Sequence, residues 1–155
     1  MKRLLLIVLV GLSCSASASV GFIGDVKNII QSSTKVSAAD WYNKGDTAFA
    51  EYDGLMMGIY QRFKVSVRKN DVNIQMQFIQ GDKRPEADDF ARVTSEICQY
   101  VFTQFVSPEK AGVMSFMGTD NLNDVFNETS SKTINGWSVS INRQTLLTSC
   151  SASKA

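Results

Sequence analysis

Histidine is missing from all 155 positions, and its absence removes several chemistries together. Ser-His-Asp and Cys-His nucleophile pairs, HExxH-type zinc sites and imidazole general bases all need a ring that titrates near neutrality or binds metal through nitrogen. Proline occurs twice and glycine ten times, too seldom for a collagenous or low-complexity chain. Neither sign of charge dominates, with 16 basic against 15 acidic residues. A nucleic-acid partner is therefore not expected, because the electrostatic footprint for one is lacking. The nearest approach to a basic cluster, Arg62, Lys64, Arg68 and Lys69, mostly alternates with apolar residues, which is the pattern of a solvated sheet face. What is present is a 44% apolar composition, in the range of one ordinary globular core.

Lys2 and Arg3 precede an apolar run from Leu4 to Leu12, followed by small residues from Ser13 to Ser19. This is the order of a secretory signal peptide. The run is well short of the roughly 20 residues that span a bilayer as a helix, so no transmembrane segment is expected. Ala16 and Ala18 have the spacing a signal peptidase accepts, which places the signal at residues 1–18. The rival reading is a lipid anchor at Cys14, which follows the apolar run and the small Ser13; Gly11 and Leu12 fit that signal poorly. Removing Lys2 and Arg3 takes the 16 basic residues to 14 against 15 acidic, a net charge of −1. The expected location is periplasmic or secreted. In such an oxidising compartment Cys98 and Cys150 form one even pair and are expected to join. No CxxC spacing and no histidine accompany them to make a metal or redox site.

Along the remaining chain, Val20, Ile23, Val26, Ile29 and Ile30 recur at helical spacing, so residues 19–45 read as a short N-terminal helix, from about 20 to 31, and a linker rich in small residues. The segment 47–60 reads two ways. Asp53-Gly54 is a hairpin dipeptide, whereas Ala48, Phe49, Tyr52, Met56, Ile59 and Tyr60 fit a helical period. Phe63, Val65 and Val67, then Val72, Ile74, Met76 and Phe78, alternate with polar residues on either side of Lys69-Asn70-Asp71, which predicts a hairpin with one buried face. Pro85, with Glu86, Asp88 and Asp89 behind it, opens a helix from about 86 to 106 whose apolar stripe is Phe90, Val93, Ile97, Val101 and Phe105. Asn135-Gly136 between Thr133-Ile134 and Trp137, Val139 and Ile141 predicts a second hairpin. The fold class is α+β: a single antiparallel sheet of about four to six strands with that one long helix packed across one face. The domain spans 46–150, and 151–155 read as a disordered tail.

No catalytic constellation survives inspection. The S-x-x-K string of penicillin-recognising serine enzymes occurs at Ser107, but also at Ser32 and Ser151, as chance allows in a serine-rich chain. Glu86, Asp88 and Asp89 are explained by the helix dipole and by pairing with Arg92. Asp120, Asn121, Asn123 and Asp124 lack the spacing and central glycine of a calcium loop, and Asn127 heads a glycosylation sequon that matters only in a eukaryotic secretory pathway. Met114, Phe116 and Met117 stand between Gly112 and Gly118 as either core filler or an adaptable apolar contact surface. By exclusion the sequence points to a non-catalytic exported protein, without a cofactor, whose partner is another protein, as for an inhibitor, immunity factor or secretion accessory. The alternative is a carrier of a small apolar ligand held between sheet and helix by residues such as Met76, Phe90, Met114 and Phe116. A hydrolase using only carboxylates ranks third.

Overall fold

A computed structural model describes residues 15–79, 85–106, 111–117 and 129–154. The basic and apolar parts of the signal segment, Cys14, Ser107-Pro108, the residues from 120 to 124 and Asn127 lie outside the described residues. The chain runs through helix α1 (Ser15–Ser33), a single 3-10 turn (Ala38–Asp40), strands β1 (Trp41–Lys44), β2 (Thr47–Met56), β3 (Ile59–Arg68) and β4 (Asp71–Phe78), helices α2 (Ala87–Thr103) and α3 (Ala111–Met117), and strands β5 (Thr129–Ile134), β6 (Trp137–Gln144) and β7 (Leu147–Lys154). All strands join one antiparallel sheet in the order β1-β2-β3-β4-β7-β6-β5. It is two meanders joined edge to edge by the pairing of β4 with β7, with α2 and α3 in the connection between them.

The α+β class and single antiparallel sheet are as the alternation predicted, but the sheet has seven strands rather than four to six. The surplus comes from the segment that read two ways. Residues 47–56 are strand, and Trp41–Lys44 pair with them from Ala50 to Thr47. The N-terminal helix is also longer than the expected 20–31, extending from Ser15 to Ser33. Its C-terminal turn is closed by hydroxyls that fold back on the backbone: Ser33 and Thr34 donate to Ile29 O and Ile30 O at 2.6 and 2.7 Å.

Strand alternation decides which face of the sheet is covered. Phe63, Val65 and Val67 of β3, Val72, Ile74 and Met76 of β4, Val139 and Ile141 of β6, and Cys150 and Ala152 of β7 point inward and are buried. On the same side α1 packs on β3 and α2, α2 on β7 and β6, and α3 on α2 and β5. The opposite face is solvated, with Glu51, Arg62 and Lys64 bridged across β2 and β3. Helix α2 starts where Pro85 and the first-turn carboxylates Asp88 and Asp89 predicted, and Phe90, Val93, Ile97 and Val101 are buried along its stripe. Thr103 is also buried and donates its hydroxyl to Tyr100 O.

The Asp53-Gly54 hairpin does not form. Both residues lie within β2, and the turn comes later, at Met57-Gly58, where Met56 pairs with Ile59. Gly54 serves a different purpose: the Tyr52 ring folds over it, and a Cβ there would come within 2.6 Å of the ring. The expected tail also differs, since residues 151–154 are the second half of β7. Ala152 is fully buried between Val72 and Val139, and Lys154 N–H donates to Asn70 O at 2.8 Å. Tail residues this small and polar carry no apolar alternation of their own, so their strand state rests on the strands either side. Cys98 on α2 and Cys150 on β7 are disulfide-bonded, with Cα atoms 6.2 Å apart, and both are buried. The bond, whose pairing the sequence predicted, fixes the helix to the strand beneath it.

Candidate functional site

Among the described residues, most large apolar side chains that remain in water gather at one end of the fold. Leu55, Met57 and Tyr60 are exposed at the β2–β3 turn, and Ile79, exposed just past β4, joins them through its N–H, which donates to Tyr60 O at 3.4 Å. Leu55 and Tyr60 face each other across the strand pair. Met57 leans the other way, into a groove of about 400 Å³ that it lines with Ser32 and Ser33 at the end of α1 and Glu96, Ile97 and Tyr100 of α2. Ile97 forms a buried floor, while Tyr100 and Met57 stand exposed as walls. The groove is thus made by three elements: the end of α1, the β2–β3 turn and the body of α2.

Three local costs coincide at this turn. Met57 takes φ +50° and Gly58 φ +84°, the two left-handed residues of a type I′ hairpin. Glycine accepts that conformation freely, whereas a non-glycine side chain is held there at a cost of roughly 1–2 kcal/mol. Directly beneath, Gln61 is fully buried; its Nε2 donates to Met56 O at 3.3 Å and its Oε1 has no partner among the described residues. Finally, large apolar surface is left in water. Strain, an orphaned acceptor and exposed apolar atoms are each tolerated singly, but their coincidence is characteristic of functional surfaces.

The hairpin itself is held by ion pairs on the solvated face. Arg62 Nε–H and Nη2–H donate to the two oxygens of Asp53 at 2.8 and 2.7 Å, and the Arg62 hydrogen bond holds the Asp53 carboxyl below its ordinary range.

A second polar cluster lies on the inner face under α2. Arg143 of β6 is buried; its Nε–H donates to Ser95 Oγ at 2.8 Å and its Nη2–H to Met117 O at 3.1 Å. Beside it, Thr94 and Thr148 hydroxyls are hydrogen-bonded at 2.6 Å. Burial pushes the Arg143 guanidinium below its ordinary pKa, and no ion pair to a carboxylate is present among the described residues. Both of its contacts are to oxygens of the helical layer, so Arg143 ties β6 to α2 and to the last carbonyl of α3, where a cation is favoured.

Of the residues singled out from sequence, Met117 is fully buried and Phe116 packs against the core. Met114 lies on α3, but its side chain falls outside the described residues. Met76 and Phe90 are fully buried core residues. Glu86, Asp88 and Asp89 sit at the open end of α2, where Asp89 and Glu96 pair with Arg92 at 3.4 and 3.3 Å. No group of three potential metal ligands occurs among the described residues, and none of their helices is long and apolar enough to cross a membrane. The Met57 groove was missed because its residues come from three separate stretches, and a left-handed methionine has no signature in sequence. Comparison with known protein families, curated proteins and solved structures finds no match.

Proposed function

We propose that the chain is a small exported protein, periplasmic or secreted after cleavage behind Ala18, which binds a partner protein and performs no catalysis, in the manner of an inhibitor, immunity factor or secretion accessory. The observation that carries this reading is the exposed apolar end of the β2–β3 hairpin, where Leu55, Met57 and Tyr60 remain in water although the turn is strained to present Met57. An apolar ligand carrier has less support. Met76 and Phe90, expected to line its pocket, are fully buried, and the groove at Met57 is open to solvent along exposed side chains. The buried disulfide supports an oxidising compartment.

Purification of the protein from its native envelope, beside a Met57→Asn/Tyr60→Ser variant, tests the reading. A stoichiometric protein partner should accompany the native chain and be lost from the variant. Equal recovery of the partner by both would overturn it, and so would an apolar small molecule extracted from the native protein in place of any partner.

A further inference from the structure

The partner's chemistry can be read from the helix that forms one wall of the groove. The solvent side of α2 carries Asp89, Arg92, Glu96 and Tyr100 on one stripe, at spacings of three and four. Glu86 and Asp88 precede them at the helix start. Among the described residues of α2 and its start, four carboxylates therefore accompany one guanidinium, and Arg92 is already engaged by Asp89 and Glu96. Glu96 lines the groove itself, and Tyr100, one turn further on, is its exposed wall. An acidic track thus runs from Glu86 to Glu96, about 15 Å at 1.5 Å per residue, and ends at an apolar seat.

We propose that the groove receives a basic amphipathic helix of the partner, with one bulky apolar side chain seated among Met57, Ile97 and Tyr100 and Lys or Arg side chains facing the carboxylates of α2. This rests on the partner-binding reading above and specifies the chemistry recognised there. Charge complementarity argues for this occupant. An acidic segment or an anionic lipid surface would bring like charge against Glu86, Asp88 and Glu96, whereas a basic one is steered along the track to the seat. An amphipathic helix lays its apolar face into a hydrophobic groove, and here Tyr100 of α2 and Met57 form the walls while the end of α1 closes the groove.

The test uses the oxidised full protein and two labelled synthetic helices with the same Leu-rich apolar face, one with a lysine polar face and one with a glutamate polar face. The lysine helix should bind at least about tenfold more tightly in dilute salt, and the preference should shrink at about 0.5 M salt, where charges are screened within about 4 Å. Replacing Asp88, Asp89 and Glu96 together by their amides should remove most of the preference. Met57→Asn should weaken the lysine helix while leaving its salt dependence in place. Equal binding of the two helices, binding of neither, or a lysine preference that survives the three amides would each overturn the proposal. In those cases a native partner still lost on Met57→Asn/Tyr60→Ser would leave the broader reading standing, so the two can fail separately.

Discussion

Met57-Gly58 and Asn135-Gly136 make the same turn from different residues. Each is a two-residue loop between paired strands, with φ of 50° and 84° in the first and 49° and 75° in the second. At the second, asparagine tolerates the left-handed region, and its Nδ2 donates to Val106 O at 3.4 Å, hooking the turn to the end of α2. Trp137, the next residue, is buried against Phe22 and Phe105, with ring centroids 5.5 and 5.2 Å apart. At the first turn a methionine holds the same backbone and is 57% exposed. One turn is built into the fold. The other is held at the fold's expense, by a left-handed methionine that remains in water.

The largest effect expected from this contrast is at Trp137. Trp137→Ala should cost about 3–5 kcal/mol, since a large ring packed on two others leaves a cavity, whereas Leu55→Ser near the other turn should lie within about 0.5 kcal/mol of the parent. Urea unfolding of the two variants decides it, and comparable losses would show that the Met57 end is as much a part of the core as the Trp137 end. Replacing Cys98 and Cys150 by serine together should lower stability by about 2–5 kcal/mol, which ranks the covalent tie between α2 and β7 beside that packing. Free-thiol titration of the denatured, unreduced parent should find neither cysteine reactive.

The reciprocal exchange of turn residues sharpens the comparison further. Asn135→Met should destabilise by about 1–2 kcal/mol, through the left-handed cost and the lost bond to Val106 O. Met57→Asn should stabilise by up to about 1 kcal/mol. If Met57→Asn also destabilises, the methionine contributes packing to the groove and the strain argument fails.

The smallest effect concerns acid. Asp53 has its folded pKa lowered by the Arg62 hydrogen bond. A lowered carboxylate contributes stability at pH values above its unfolded pKa of about 4, and that contribution is lost as pH falls through the folded value. The Arg62 and Asp53 side chains are 36% and 39% exposed, so solvent screening holds the contribution to about 0.5 kcal/mol or less. Asp53→Asn should remove it from the stability difference between pH 7 and pH 3, measured by thermal melting at both.

How much of this was legible in the sequence follows the range of the signal. The β3–β4 hairpin, α2 and the Asn135-Gly136 turn are written within a dozen or so residues each, by alternation, by a capped apolar stripe and by a dipeptide whose conformational preference matches the turn. The pairing of Cys98 with Cys150 followed from parity in an oxidising compartment. The placement of β7 between β4 and β6 is decided by partners distant in sequence, and Ser151–Lys154 have no apolar pattern that announces a strand. The site was the least legible. Met114, Phe116 and Met117 drew attention by composition, yet Met117 points into the core. Leu55, Met57 and Tyr60 looked like ordinary members of an ambiguous segment, because only the fold shows which apolar residues are left over.

The position of β7 has a consequence for how the molecule comes into being. Asp71 pairs with Ser153 and Ile74 with Cys150, so the seam that joins the two meanders needs residues synthesised long after β4. A nascent chain can form the first meander early, but its β4 edge stays unpaired until β7 arrives, and an open strand edge is an invitation to mispairing. The long sequence separation across the seam also predicts slow, late closure of the sheet. The open edge of β4 and the thiol of Cys98 are therefore without their partners throughout the period in which a holding chaperone or an oxidoreductase would have to act.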